Sequence, residues 1–383
     1  MFIFVFIFLF LLIVYAVLID YYRRAWNKLP TFTGADLSPR TTISLIIAVR
    51  NEENNIKPLL DSLCLQSYPS ALTEFIIVDD HSEDNTWNLL KNYPTVNRRF
   101  SFIQLADHLN KEDSIVSHKK KAIETGISQA MGTLIVTTDA DCLFHADWLL
   151  TIARFYETHS AKFIAAPVKI ASNRSLLSIF QTLDFLTLQG ITGASVYKRI
   201  HSMCNGANLA YEKAAFNEVG GFSGIDNLPS GDDMLLMHKI YKKYPQQVFY
   251  LKHESAIVST TPVSSWKSFF HQRIRWASKA DSYDDKRIFW VLLLVYGINL
   301  FFLALGVAAF FHTTWGFFLL LFLLAKVLIE FPFVNTVASF FRQRMLLNYF
   351  ILMQPLHILY TIIAGWLGKF GSFEWKGRRT NVK

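Results

Sequence analysis

Cysteine and charge are what this 383-residue chain has least of. Its three cysteines, Cys64, Cys142 and Cys204, stand far apart without metal-ligand spacing, which excludes a disulfide framework or cysteine metal centre. They read as reduced packing residues. Charged residues make up only 18% of the chain, while 52% is hydrophobic and 34 residues are Phe, so an ordinary soluble protein is excluded as well. Internal repeats and low-complexity linkers are lacking, which removes solenoid and array architectures. The net charge of +8 has no nucleic-acid motif beside it, and the basic residues cluster next to apolar segments. No nucleic-acid partner is expected; anionic lipid headgroups and a diphosphate ligand suit that charge better.

What is abundant sits at the two ends. Phe2 to Ile19 is an uncharged run of 18, about the length of a membrane span, and no small-residue cleavage pattern follows it. Residues 1–22 are therefore expected to be an anchor and 23–41, with Pro30 and Pro39, a linker. Three apolar stretches, about Ile288 to Phe311, Thr314 to Val334 and Met345 to Leu367, predict a C-terminal membrane region over 288–367, followed by a basic tail, 368–383. Arg23, Arg24 and Lys28 on one side and Lys279, Lys286 and Arg287 on the other put the intervening domain, 42–280, in the cytoplasm by the positive-inside rule. A multi-pass protein of a bacterial inner membrane is the expectation. If Met345 to Leu367 crosses fully, the basic tail ends outside, against that rule; Pro355 offers a break that would return it. Lys326 and Glu330, four apart within an apolar span, read either as a neutralising pair or as marks of a lipid or glycan path.

Between the ends, buried strands alternate with helices. Thr42 to Val49, Phe75 to Val78, Phe102 to Leu105, the strand running to Asp139 and Phe163 to Ala166 are predicted strands. Helices are predicted from Ile56 to Cys64, near Lys119 to Ala130 and near Trp148 to Tyr156, which implies a mostly parallel, right-handed α/β sheet. The strand Leu134 to Thr138 ends in Asp139-Ala140-Asp141, and extended backbone would aim both carboxylates at one divalent cation. That end of an open sheet is where ligands bind. Asp79-Asp80 ends the second strand at the same edge; the segment through Thr86 reads both as a helix cap and as an acceptor for a nucleobase or ribose.

Ser44 to Glu53, Val78-Asp79-Asp80-x-Ser82-x-Asp84, Thr138 to Asp141, Gly206-Ala207-Asn208, Gly220-Gly221-Phe222, Gly231-Asp232-Asp233 and Gln272-Arg273-Ile274-Arg275-Trp276 occur in that order. Together they resemble glycosyltransferase family 2, in its membrane-bound branch of polysaccharide synthases and ceramide glucosyltransferases. The resemblance implies a GT-A fold, a Rossmann-like mixed sheet. It further implies inverting transfer of a sugar from a nucleotide-diphospho-sugar, a UDP-sugar, assisted by Mg²⁺ or Mn²⁺. By that likeness Asp141 and Asp139 serve the metal, Asp139 and Asp80 the ribose and base, and Glu52 lies beside Asp80. The family's nucleotide-side lysine falls within Lys119 to Lys121, with Lys120 the candidate. Asp233 matches the catalytic base, and Asp232 stands where Glu is common. Gln272 and Arg275, at helical i and i+3, share a face; Arg275 would pair with the leaving diphosphate and Trp276 offer the acceptor a platform. The acceptor is read as a membrane lipid, with a growing glycan as the alternative.

Overall fold

The computed structural model describes residues 2–34, 38–95, 97–109, 117–200, 203–226, 228, 231–279, 285–375 and 378–381. Within the basic tail expected over 368–383, residues 376–377 and 382–383 lie outside the described residues. The chain forms two compact units: Met1–Leu29 with Ser172–His201 and Pro262–Lys383, and Pro30–Ala171 with Ser202–Thr261. The helices Leu176–Lys198 and Trp266–Ala277 lie inside the stretch read as one soluble domain, yet they pack with the apolar helices.

The second unit is built on a mixed sheet. Its strands are β1 (Ile43–Val49), β2 (Thr73–Asp79), β3 (Arg99–Gln104), β4 (Leu134–Thr137), β5 (Cys142–Leu143), β6 (Phe163–Ala165), β7 (Val168–Ile170), β8 (Leu209–Glu212), β9 (Val248–Tyr250) and β10 (Val258–Thr260). Seven of them pair in the order β3-β2-β1-β4-β8-β6-β9. β3, β2, β1 and β4 run parallel, as alternation of strands and helices predicts, whereas β8 is antiparallel to both β4 and β6. The sheet is thus mixed, because β8 enters after the long excursion through the other unit instead of a short crossover helix. β1 and β2 are apolar on both faces and almost wholly buried, and the helix His118–Gln129 packs on them with Gly126 against Ile46. β5, β10 and β7 make a smaller sheet in which Thr260 is paired with Cys142.

One expectation shifts here. β4 ends at Thr137, so Asp139-Ala140-Asp141 lies on the turn into β5 and not in extended backbone. The two carboxylates owe their placement to that turn rather than to strand alternation.

The first unit contains four helices long and apolar enough to cross a membrane: Ile3–Lys28, Lys286–Ala309, Thr313–Phe340 and Arg344–Phe370. Pro355 does not break the last; the α-helix Phe350–Phe370 carries it in its second turn. Within this bundle Lys326 pairs with Glu330 at 2.7 Å, Gln354 accepts from Lys326 at 2.5 Å and donates to Glu330 at 3.0 Å, and the Tyr15 hydroxyl donates to Glu330. Both of these charges are paired, and Gln354 and Tyr15 tie the pair to two further helices, as the structural one of its readings expects. Gly190 of the helix Leu176–Lys198 meets Phe333 and Val337 so closely that a Cβ would lie 2.5 Å from Val337.

Candidate active site

Carboxylates gather where β4 ends and the helix Met234–Lys243 begins. Asp233 caps that helix: its Oδ1 accepts from the Met234 N–H at 2.7 Å and its Oδ2 from the Gly206 N–H at 3.2 Å. A carboxylate held by two backbone donors is fixed in direction while keeping free lone pairs. Asp232, beside it, is bridged to Asp139 by one ammonium: Lys119 Nζ lies 2.8 Å from Asp139 Oδ1 and 3.1 Å from Asp232 Oδ2. Burial opposes the lysine's charge, but Asp139 and Asp232 outweigh it and hold the ammonium well above its usual value, so it is charged at neutral pH. Gly206 leaves room beside the group; a Cβ there would sit 3.5 Å from both Asp232 Oδ2 and Lys119 Nζ.

Asp141 is half-buried and accepts from the Thr260 hydroxyl at 2.7 Å. Burial, then the charges of Asp139 and Glu52, raise its carboxyl above the ordinary range, the electrostatic mark of a place that lacks positive charge. Glu52 is oriented by Asn55, whose Nδ2 donates to Oε2 at 2.7 Å. Nearby backbone is pinned by Asn208, whose buried amide donates to the carbonyls of Pro167 and Ala256 at 2.8 Å and accepts from Trp148 Nε1 at 3.1 Å. Thr138 bonds the Ala207 carbonyl at 2.7 Å, tying the end of β4 to the Gly206-Ala207-Asn208 segment.

Asp80 is buried at the end of β2, 3.0 Å from His81 Nδ1 and 3.1 Å from His118 Nδ1. Arg50 clamps that corner, donating to the carbonyls of Asp80 and His81 at 2.9 and 2.6 Å and pairing with Glu83. His118 and Lys119 are consecutive at the start of one helix, so that helix serves Asp80 with one residue and the Asp139–Asp232 group with the next.

Lys120 goes elsewhere. It is almost fully buried and its ammonium donates to the carbonyls of Ile225 and Leu228 at 2.5 and 2.8 Å, so among the three lysines Lys119 reaches the carboxylates. Sequence reading chose among Lys119, Lys120 and Lys121 without knowing which way the helix faces; successive residues differ by about 100° around it. Thr260 was missed for a comparable reason, since it reaches Asp141 only through the pairing of β10 with β5.

Gln272, Arg275 and Trp276 belong to the other unit, on the helix Trp266–Ala277. The residue that organises them is Arg273. Its guanidinium lies 4.3 Å from the Trp276 ring and 4.7 Å from that of Phe269, and its Nη1 donates to Gln272 Oε1 at 2.9 Å. It pairs at 2.6 Å with Asp184, both side chains only 4% exposed, and Tyr360 donates to the same carboxylate. Arg275 is half-buried on the same helix, and its carbonyl accepts from Ser278. Asp184 carried no signal in the sequence, because it lies in an apolar helix with no motif around it.

The family model for glycosyl transferase family 2 matches residues 44–220, and that for glycosyl transferase family group 2 matches residues 134–367. The chain is 23% identical over 238 residues to a relative from Bacillus subtilis, "Probable glycosyltransferase YdaM", covering 61% of this chain and 54% of that one. It is also 23% identical over 257 residues to a β-monoglucosyldiacylglycerol synthase of Trichormus variabilis, covering 66% and 51%. The chain thus spans about half the length of these curated relatives. Among solved structures, the mannosyltransferase PcManGT of Pyrobaculum calidifontis, in complex with GDP-Man and Mn²⁺, superposes with a TM-score of 0.61 at 18% identity, covering 96% of this chain and 99% of that one. The second family model spans more than half of the chain and the fold is shared with PcManGT: the chain belongs to glycosyl transferase family group 2 and is a glycosyltransferase of GT-A fold.

Proposed function

We propose that this glycosyltransferase is inverting and metal-dependent, and that it moves a sugar from a nucleotide-diphospho-sugar to a membrane lipid on the cytoplasmic face. The observation that carries the reading is the convergence of Asp139, Asp232 and Asp233 around Lys119 and Gly206, with Asp141 strained by neighbouring negative charge. A half-buried carboxylate whose proton affinity is raised by burial and by other carboxylates fits a hard divalent cation, and Asp141 with Asp139 would hold Mg²⁺ or Mn²⁺. Such an ion, when bound, neutralises charge growing on a diphosphate leaving group.

In the single displacement, the acceptor hydroxyl oxygen forms a bond to the anomeric carbon on one face while the bond from that carbon to the diphosphate oxygen breaks on the other. The acceptor proton passes to Asp233, whose two backbone hydrogen bonds aim it without using up its lone pairs. Lys119 takes the nucleotide-side role assigned in sequence to Lys120: its ammonium can turn from Asp139 towards a phosphate oxygen once other positive charge reaches the carboxylates. Asp80 is the acceptor for the donor's base, and Glu52 supports the same loop. Arg275 and Trp276 keep their proposed roles towards the diphosphate and the acceptor, with Arg273 and Asp184 fixing the tryptophan.

The lipid acceptor is favoured by the glucosyldiacylglycerol synthase relative and by the four long apolar helices. The basic flanks of the apolar segments support a cytoplasmic catalytic unit. The test is a panel of UDP- and GDP-sugars supplied with Mn²⁺ and diacylglycerol vesicles to the detergent-purified full chain, with sugars per product counted. One sugar per lipid supports the reading. A ladder of longer products replaces it with a processive synthase, and donor turnover that ignores both lipid and EDTA refutes it.

A further inference from the structure

Asp80, His81 and His118 stand apart from the carboxylates assigned to the divalent ion. Asp80 Oδ1 lies 3.0 Å from His81 Nδ1 and 3.1 Å from His118 Nδ1, and the three ligand atoms all fall within 4.8 Å of one another. In a tetrahedral ion with bonds of about 2.0–2.1 Å, neighbouring ligand atoms are about 3.3 Å apart, so the two contacts to Asp80 are already near that spacing and an ion would draw the two imidazole nitrogens together by at most about 1.5 Å. The frame is rigid where it matters. Asp80 is 4% exposed, its N–H donates to the Val49 carbonyl at 2.8 Å, and Arg50 grips the carbonyls of Asp80 and His81. His81 adopts a left-handed conformation, φ 56°, uncommon for a non-glycine residue, which folds its ring back onto the preceding carboxylate. His118 opens the helix His118–Gln129 and so is positioned by regular structure. The two imidazoles are 38% and 25% exposed, which gives an ion a way in and leaves space for water as a further ligand.

We propose that Asp80, His81 and His118 form a second metal site, selective for a borderline transition ion of the Zn²⁺ class, and that an ion there blocks the donor's base. Two imidazoles and one carboxylate suit Zn²⁺, Co²⁺ or Ni²⁺ far better than Mg²⁺ or Mn²⁺, which prefer oxygen ligands. The site is therefore chemically separate from Asp139 and Asp141. The blocking half rests on the reading of Asp80 as the base's acceptor; the metal half does not. An ion that occupies the Asp80 carboxylate removes the acceptor that base would use, so inhibition should compete with the nucleotide-sugar.

The experiment uses the detergent-purified full chain stripped of metals, with Co²⁺ as an optical probe. The expected result is the visible d–d absorption of four- or five-coordinate Co²⁺ at one equivalent, abolished by added Zn²⁺ and retained in Asp141→Asn. His118→Gln and, separately, His81→Gln should weaken that Co²⁺ by about 100-fold or more, at or beyond the largest effect of losing an outer partner. A weak octahedral spectrum, or a tetrahedral one indifferent to both histidine variants, overturns the site. In the activity arm, with Mg²⁺ in excess, stoichiometric Zn²⁺ should raise the donor KM of the unaltered chain and leave that of His118→Gln unchanged. Equal inhibition of both proteins, or inhibition not relieved by donor, overturns the blocking claim while leaving the Co²⁺ result to judge the site. If neither protein transfers sugar, the optical arm still decides it.

Discussion

Replacing Lys119 with Met tests whether one ammonium balances the carboxylate group when no divalent ion is bound. At an effective dielectric of about 20, contacts of 2.8 and 3.1 Å are each worth about 5–6 kcal/mol of attraction. The side chains of Lys119, Asp139 and Asp232 remain 22%, 37% and 13% exposed, so screening and desolvation return most of that. A net loss of about 1–3 kcal/mol is left. In a unit of this size it corresponds to a drop of roughly 3–10 °C in the thermal midpoint. The divalent ion should move the other way. Without a resident ammonium, Asp139, Asp141 and Asp232 present more uncompensated charge, so Mn²⁺ should bind the variant about tenfold or more tightly, equivalent to about 1.4 kcal/mol. Donor kcat/KM should nonetheless fall, because no cation remains to turn towards the phosphate. The assay is intrinsic-fluorescence melting of the purified chain over a Mn²⁺ titration, followed by donor kinetics. A midpoint within 1 °C of the unaltered protein, together with unchanged Mn²⁺ affinity, would refute the argument.

Four further outcomes are expected. Asp233→Asn can keep only one of the two backbone hydrogen bonds, through its single amide oxygen, but leaves Asp139 and Asp141 in place, so donor affinity should stay near normal while turnover falls by roughly 10²- to 10⁴-fold; normal turnover would move the base to Asp232. Asp184→Ala leaves Arg273 buried without its carboxylate and should destabilise the apolar unit by about 3–5 kcal/mol, whereas Asp184→Leu with Arg273→Met should recover most of that yet still lower acceptor turnover; equal activity of the double variant and the unaltered chain would end the positioning role. Burial pushes the Lys252 ammonium down to about 8, below its unfolded value, so it destabilises the fold below that pH and ceases to do so as pH rises through about 10. Lys252→Met should accordingly raise the melting midpoint at pH 7 more than at pH 10, and an equal gain at both would contradict the assignment. An Asn85→Cys variant should resist impermeant thiol reagents in intact cells, while labelling of Lys383→Cys would show whether Arg344–Phe370 crosses fully.

The parts of this enzyme legible in the sequence are those whose signal is local. β1 carries an apolar run from Leu45 to Val49 and β2 one from Phe75 to Val78, and both formed as expected. The apolar segments near both ends became continuous helices for the same reason. The carboxylates were found because each follows closely on a strand or opens a helix, where chain direction and sheet edge already limit placement.

What escaped were choices set by distant chain. Lys119 and Lys120 have the same charge and neighbourhood in sequence, yet one reaches two carboxylates and the other two carbonyls, because helix rotation is fixed by packing on β1 and β2. Asp184 and Arg273 lie 89 positions apart, and neither shows alone that the other makes its burial tolerable. Burial of a lone arginine would be prohibitive, so the apolar helix Leu176–Lys198 must bring an acid to that depth before Trp276 can rest on the guanidinium. The motif Gln272 to Trp276 is thus only half of a device. Its other half is a single aspartate that no local pattern marks, supplied by a segment that the chain inserts between β7 and β8.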